Sequence, residues 1–351
     1  MQKESSRRLR SVAGEIGISL LSVVLALLVG AVIVAFLGVS PLRAYLALLS
    51  GAFGSVNALA GTATKTVPLI FTGLAVALAF RCGLFNIGGE GQLYLGALAA
   101  VLVALALPGL PRIILLPIAV LGGMAVGFLW GGIPGLLKAR FQTHEVIVSV
   151  MLNYVALFLV SYLVNYQFKA KGPVAQTDTI PQAASLRELI PRSQLTTAVF
   201  IAIAAVLLVY WLLWKTSLGF EIRATGENAF AAEAAGISRF RSIVLSMGLS
   251  GAIASLAGIT QVLGVYGRFI VDFSPGYGFT GIAVAVLGRN HPFGVLLAAL
   301  LFGALESGAL RMNISTKISA DLVVFIQGLV ILFVAAPGII RGLRIHVRSR
   351  R

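Results

Sequence analysis

Apolar runs of roughly membrane-crossing length, about 20 residues, recur along almost the whole chain, separated by short polar or Gly/Pro-rich breaks. The pattern predicts helices over 16–38, 66–80, 90–107, 113–137, 146–165, 195–214, 242–264, 279–288, 293–311 and 320–337. Ten crossings therefore make an all-α, polytopic bundle with interrupted helices. Pro41 to Thr64 reads as an outer-face helix and loop, too short and too polar for a span. Residues 166–193, with prolines, Gly172 and charges of both signs, form an external loop; 215–241 is the longest inner loop and 265–278 an outer connection.

Composition agrees: 58% of residues are hydrophobic, only 11% are charged, and mean hydropathy is +0.98. The polar remainder is too small for an appended soluble module, so residues 1–351 read as a single transmembrane domain. A net charge of +15 could suggest a nucleic-acid ligand. Its placement argues otherwise, because most basic residues fall on one side of the predicted topology. They include Lys3, Arg7, Arg8 and Arg10 at the start and Arg341, Arg344, Arg348, Arg350 and Arg351 at the end. That asymmetry puts both termini in the cytoplasm, where the basic ends also meet anionic membrane lipid. The run Ile16–Val39 is too long for the core of a signal peptide and reads as the first span. Cys82 stands alone, and His144, His291 and His346 have no metal-ligand spacing, so neither a disulfide, a metal nor a cofactor is expected.

The most informative break is Phe80-Arg-Cys-Gly-Leu-Phe-Asn-Ile-Gly-Gly-Glu-Gly-Gln92. Hydrocarbon tolerates irregular backbone and charge only where protein or a watery cavity surrounds them, and transporters place substrate paths at such breaks. Phe85, Asn86, Glu90 and Gln92 are therefore candidate path residues, with Asn153 on the helix over 146–165 and, more weakly, Tyr154 and Gln327. Glu90 needs a partner, for which Arg81 is the nearest candidate. An internal echo supports the assignment. Phe71-Thr-Gly-Leu-Ala-Val-Ala-Leu-Ala-Phe-Arg81 and Phe279-Thr-Gly-Ile-Ala-Val-Ala-Val-Leu-Gly-Arg289 share seven of eleven positions, and both lead into a break. Paired interrupted segments in two halves point to a transport site.

In the inner loop, Glu227 to Ala235 is strongly helix-forming, with Glu227 suited to a helix N-terminus and Gly236 to a C-cap. A short surface helix of this kind is what a peripheral motor would grip, or it is an ordinary interfacial helix. Gly123, Gly127, Gly131 and Gly135, four apart, predict close helix packing. Glu306 and Asp321 inside predicted helices could relay protons in an ion-coupled carrier or simply bond between helices. No phosphate-binding loop is present, since Lys65-Thr66 has only Gly61 before it, and no hydrolase or zinc-protease motif occurs. The chain is not expected to be an enzyme.

Together these motifs resemble the permease subunit of bacterial ABC importers in the branched-chain amino acid, ribose and nucleoside group. Arg81-Cys-Gly-Leu-Phe-Asn-Ile-Gly-Gly-Glu-Gly-Gln-Leu-Tyr-Leu-Gly96 is similar to the signature of its nucleoside (guanosine-type) branch. Thr225–Ile237 resembles the loop that docks into the ATPase, and Gly276–Gly308 resembles the late segment of these permeases. Ribose-type permeases commonly carry Ile-Asp-Leu-Ser where this chain has Phe85-Asn86-Ile87-Gly88, which favours a nucleoside over a simple sugar. The resemblance implies a multi-pass subunit of a bacterial cell membrane. It would pair with a second homologous permease, be driven by a cytoplasmic ATP-binding subunit, and be supplied by an extracytoplasmic binding protein. Gly226, Glu227, Asn228, Ala231, Ala234 and Gly236 would then couple to the ATPase, and Phe85 would stack on a nucleobase whose polar edges meet Asn86 and Gln92.

Overall fold

A computed structural model of the chain describes residues 21–191, 193–319 and 321–335. The basic terminal residues, His346 and the start of the first predicted helix lie outside them. The described residues are helical apart from the breaks and outer connections: α1 (Leu21–Phe36), α2 (Pro41–Phe53), α3 (Val56–Arg81), α4 (Gly89–Ala106), α5 (Arg112–Phe141), α6 (Glu145–Tyr166), α7 (Ala198–Lys215), α8 (Ser217–Glu227), α9 (Ala229–Ala234), α10 (Arg239–Gln261), α11 (Tyr277–Leu287), α12 (Pro292–Thr316) and α13 (Asp321–Ala335). Seven of these, α3 to α7, α10 with its π-helical extension to Tyr266, and α12, are long and apolar enough to cross a membrane. The other apolar helices, α1, α11 and α13, are shorter.

Two expectations change. The helix expected over 66–80 begins ten residues earlier, at Val56, because the run Ala58–Val67 holds no proline and its threonines stay buried within the fold. The loop expected to hold one helix holds two, since Thr216 caps an extra helix, α8, by accepting from Gly219 N–H at 3.1 Å.

The described residues form two compact units, one of residues up to Thr62 with those from Ala304 onward, the other Ala63–Gly303. In the first, Tyr45 Oη donates to the Leu27 carbonyl at 2.5 Å, joining α2 to α1, and Gly51 of α2 lies against Gly308 and Arg311 of α12. Asp321, expected inside a helix, stands instead at the first position of α13, exposed and bonded to the Ser319 hydroxyl at 2.8 Å. It is a helix-start carboxylate rather than a member of a buried relay.

The second unit is layered. Of the membrane-length windows, 83% of α3, 72% of α4 and 83% of α10 are buried, against 22% of α5, 22% of α6 and 28% of α7. The first three make the core and the last three its wall. Core contact depends on small residues, because in lipid only close packing and hydrogen bonds hold helices together. The glycine row of α5 lies on α10. A Cβ on Gly127 would stand 2.6 Å from the Gly251 carbonyl oxygen, and one on Gly131 2.7 Å from that of Met247. The segments that follow α6 and α10 pair with each other, Thr177 N–H donating to the Phe269 carbonyl and Leu186 N–H to that of Leu263, at 2.9 and 2.7 Å.

Gly127→Val should cost about 1–3 kcal/mol by overpacking, seen as a lower melting temperature in detergent. Gly132→Ala, where no atom lies within 4 Å of the added Cβ, should leave the melt unchanged or raise it, because alanine loses less chain entropy.

Candidate functional site

The chain leaves α3 at Arg81 and re-enters helix at Gly89. Gly83, at φ +73°, turns it by a backbone conformation that favours glycine. Inside the turn the Cys82 thiol faces the Ser242 carbonyl at 3.6 Å, and burial pushes its pKa up to about 11, so it is an inert packing group. Phe85 is half-buried, its ring edge-on to Phe80 at 4.7 Å.

Asn86 organises the rest of the break. Its side-chain NH2 donates to Gln92 Oε1 at 3.0 Å and Ser250 Oγ at 2.8 Å, while its oxygen accepts from Gly88 N–H at 2.9 Å and Gln92 Nε2 at 3.2 Å. Ser250 in turn donates to the Ala75 carbonyl at 2.6 Å. Asn153 of α6 reaches across in the same way, accepting from Gly91 N–H at 2.8 Å and donating to the Ile87 carbonyl at 2.7 Å. Asn86, Gln92 and Asn153 are 0%, 1% and 2% exposed. Three expected path residues are thus brought together, and their amides are spent on one another and on backbone that the break leaves without helical partners.

Glu90, also buried, does not pair with Arg81. Its Oε2 accepts from Gly278 N–H at 2.6 Å, so it helps cap the N-terminus of α11, where the Ser274 hydroxyl accepts from Gly276 and Tyr277 N–H at 3.2 Å, while standing in the first turn of α4. The two backbones touch there, since a Cβ on Gly278 would meet the amide nitrogen and Cα of Glu90. One turn on, Tyr94 Oη accepts from Ser274 N–H at 3.1 Å and its ring packs on Phe273 at 4.9 Å. The eleven residues of α11 span about 16 Å, roughly half a bilayer's hydrocarbon core. Arg81 is instead bound at the far end of α11, Nε donating to the Asn290 carbonyl at 2.9 Å. The two echoing segments therefore lie side by side: Gly73 packs on Val284, Gly281 on Thr72, and the arginines that end them meet.

The segment between α7 and α10 attaches to the same break. Gly226, near the end of α8, lies so close to α3 that a Cβ would overlap the Arg81 carbonyl, and Gly83 is its neighbour on the other side. Glu227 is the last residue of α8, not the first turn of α9 as expected. Asn228 caps α9, its Oδ1 accepting from Phe230 and Ala231 N–H at 3.1 and 3.0 Å. The C-terminus is as expected, Gly236 at φ +83° with its N–H on Glu233 and that of Ile237 on Ala232. Glu227, Asn228, Ala231, Ala234 and Gly236 are exposed, and so is Phe230, at 78%. Phe230 was not among the expected coupling residues, although an aromatic in a short polar-capped helix is itself a signal.

A second feature went unread in the sequence. Tyr154, Phe158, Ser161, Tyr162 and Asn165 recur at three- and four-residue spacing along one face of α6, ending at Tyr166 and Lys169. Phe158 and Tyr166 are 73% and 76% exposed, and the C-terminal half of this face lines an open groove of about 460 Å3. The exposed face of α5 is aliphatic, with Ile113, Ile118, Leu121, Leu129 and Leu136. Only the combination of exposure with hydroxyl and amide groups sets α6 apart, and exposure is not a property of the sequence.

Comparison with known proteins gives a consistent result. Residues 58–335 match the model of the family described as "Branched-chain amino acid transport system / permease component". The chain is 42% identical over 330 residues to the guanosine ABC transporter permease protein NupP of Bacillus subtilis (strain 168), covering 92% of this chain and 94% of that one. It is 38% identical to the nucleoside ABC transporter permease protein NupB of Lactococcus lactis subsp. cremoris (strain MG1363), over 92% of this chain and 91% of that one. It is 39% identical to the glucose ABC transporter permease protein TsgB13 of Haloferax volcanii, over 95% and 91%. Identity of this order along nearly the whole of each chain places the protein in the family of branched-chain amino acid-type transport permeases.

Proposed function

We propose that this permease is the membrane subunit of an ATP-driven importer of nucleosides in the bacterial inner membrane. The observation that carries the substrate class is the exposed face of α6. Polar groups on a spanning helix are costly toward lipid and so face water or protein. The groove of about 460 Å3 is within the ~300–1,000 Å3 usual for small-molecule sites. Tyr162 and Tyr166, with ring centroids 5.2 Å apart, offer aromatic faces, Ser161 and Asn165 offer hydrogen bonds, and Lys169 is the one charged side chain in the wall. Such a wall suits a flat solute with polar edges and no positive charge. Two relatives named for guanosine and nucleosides support this reading. The relative named for glucose makes a simple sugar the second reading.

Asn86, Glu90, Gln92 and Asn153 then act by holding the broken helices, and Phe85 by packing beneath them, rather than by touching solute. The chain would be a single membrane domain of about ten crossings with cytoplasmic termini, formed by seven long and three shorter apolar helices. A second, homologous permease would complete the solute path opposite α6, and a binding protein would deliver solute from outside. The ATPase would grip α9 by Phe230, Ala231 and Ala234. Its motion would pass through Asn228 to Gly226, whose backbone rests on Arg81 and Cys82, and so into the break that ends at Glu90. ATP hydrolysis belongs to the partner subunit.

Uptake of labelled guanosine, adenosine and ribose by cells carrying the complete transporter tests the reading. Nucleoside uptake should be blocked by vanadate and survive a protonophore; uptake abolished by the protonophore alone would replace the ATPase with an ion gradient. Tyr162→Ala and Asn165→Ala should lower nucleoside uptake about tenfold or more with normal membrane levels, whereas Asn86→Ala should lower the amount of folded protein. Each group it orphans costs about 1–3 kcal/mol. Phe230→Ala, removing an exposed aromatic anchor of the kind worth about 2 kcal/mol or more, should reduce ATPase co-purification at least tenfold without changing the melting temperature of the isolated permease.

A further inference from the structure

The groove along α6 has an ordered wall. Phe158, Tyr162 and Tyr166 stand four residues apart, and so do Ser161, Asn165 and Lys169, so an aromatic row runs beside a row of hydrogen-bonding groups. Asn165 is held one way round. Its side-chain NH2 donates to the Ser161 carbonyl at 2.9 Å and lies 3.4 Å from the Ser161 hydroxyl. A carbonyl only accepts, so the amide cannot turn over without losing that bond. Its Oδ1 is left with no partner among the described residues, and toward the groove Asn165 is an acceptor. Lys169 is the opposite, a charged group that only donates. Among the described residues no carboxylate pairs with it. Main-chain bonds fix the backbone on both sides of it, Phe168 N–H on the Leu163 carbonyl at 3.0 Å and Ala170 N–H on that of Gln176 at 2.8 Å. The wall therefore sets one oriented acceptor and one charged donor next to aromatic faces.

We propose that Asn165 and Lys169 select 6-oxopurine nucleosides, guanosine and inosine, over adenosine. The inference rests on the nucleoside reading of this groove. With the base lying on Tyr162 or Tyr166, its N1–H donates to Asn165 Oδ1 while the edge carrying O6 and N7 accepts from Lys169. Aromatic support for the face with hydrogen bonds to the edge is the usual way of holding an unpaired base. Lysine suits O6 and N7 because two acceptors side by side there face a cation. Adenine reverses the order, since its exocyclic group donates and its N1 accepts. In the same pose its amine would face the ammonium and its N1 the Asn165 oxygen, donor against donor and acceptor against acceptor. It can satisfy both groups only when turned over, which carries the ribose from the Lys169 end of the row to the Asn165 end. Polar groups left unmatched in this way discriminate more sharply than lost apolar contact does.

Equilibrium binding of labelled guanosine, inosine and adenosine to the assembled transporter in lipid nanodiscs tests the assignment. The binding protein is left out, because it would impose its own preference on uptake. Guanosine and inosine should bind about tenfold or more tighter than adenosine, the discrimination usual for a well-placed base contact. Lys169→Gln, whose amide can accept as well as donate, should lose most of that preference. Lys169→Arg should keep it, and Lys171→Gln, outside the groove, should change nothing. Lys169 is exposed, so its variants should melt with the unaltered protein, which separates a lost contact from a lost fold. Equal binding of the three nucleosides, or a preference that persists in Lys169→Gln, would overturn the proposal and leave the nucleoside reading standing. Binding of ribose or glucose with no binding of any nucleoside would overturn both, and no binding of any of these solutes would remove the groove as a solute site.

Discussion

One carboxylate between two helix ends is the constraint on which the second unit depends. A helix N-terminus carries about half a positive charge, and here two of them, those of α4 and α11, meet head to head inside a chain built for hydrocarbon. Apart from Glu90 they would repel and leave unbonded N–H groups in a medium that offers none in return. Glu90 answers both needs, as part of one helix and as a cap of the other, bonded to Gly278 N–H. The breaks are thus neither defects nor flexible spots.

Everything around this joint is contact between backbones. Gly278 rests on Glu90, Gly226 on Arg81, Gly251 on Gly127. With no side chain between them, one segment cannot tilt without displacing the other, so the breaks, the core helix α10 and the inner loop form a train of short, stiff contacts. Asn86 and Asn153 reinforce it by bonding backbone across the gap. Interrupted helices in transporters commonly present their positive ends to a solute. Here the chain's own carboxylate fills that place, which is consistent with a neutral cargo.

The fold was largely legible because its signals are one-dimensional. Apolar runs gave the long helices, the glycine row of α5 gave a packing face, and Gly236 gave the end of α9. The position of the breaks was legible too, and the echo between Phe71–Arg81 and Phe279–Arg289 foretold that the two belong together. What the sequence did not reveal is who faces whom. Arg81 stood nearest Glu90 along the chain and was the natural partner, yet the two sit at opposite ends of α11, because the residues between them are spent crossing back rather than turning. Tyr154 stood out only weakly as a path candidate, and Tyr162 and Asn165 carried no signal until the exposed side of α6 was known. Phe230 was passed over for the opposite reason, since one aromatic among alanines reads as packing when its exposure is unseen.

The contact between Gly278 and Glu90 has a bearing on how such a chain can change over generations. A side chain at 278 would collide with the main chain of residue 90, and a different side chain at 90 would leave the Gly278 N–H without its partner, so neither position can drift alone. The two lie 188 residues apart, in halves that echo one another, and would have to be inherited as a single character. A gene assembled by recombining the front half of one such permease with the back half of another should succeed or fail at this pair before any question of cargo arises.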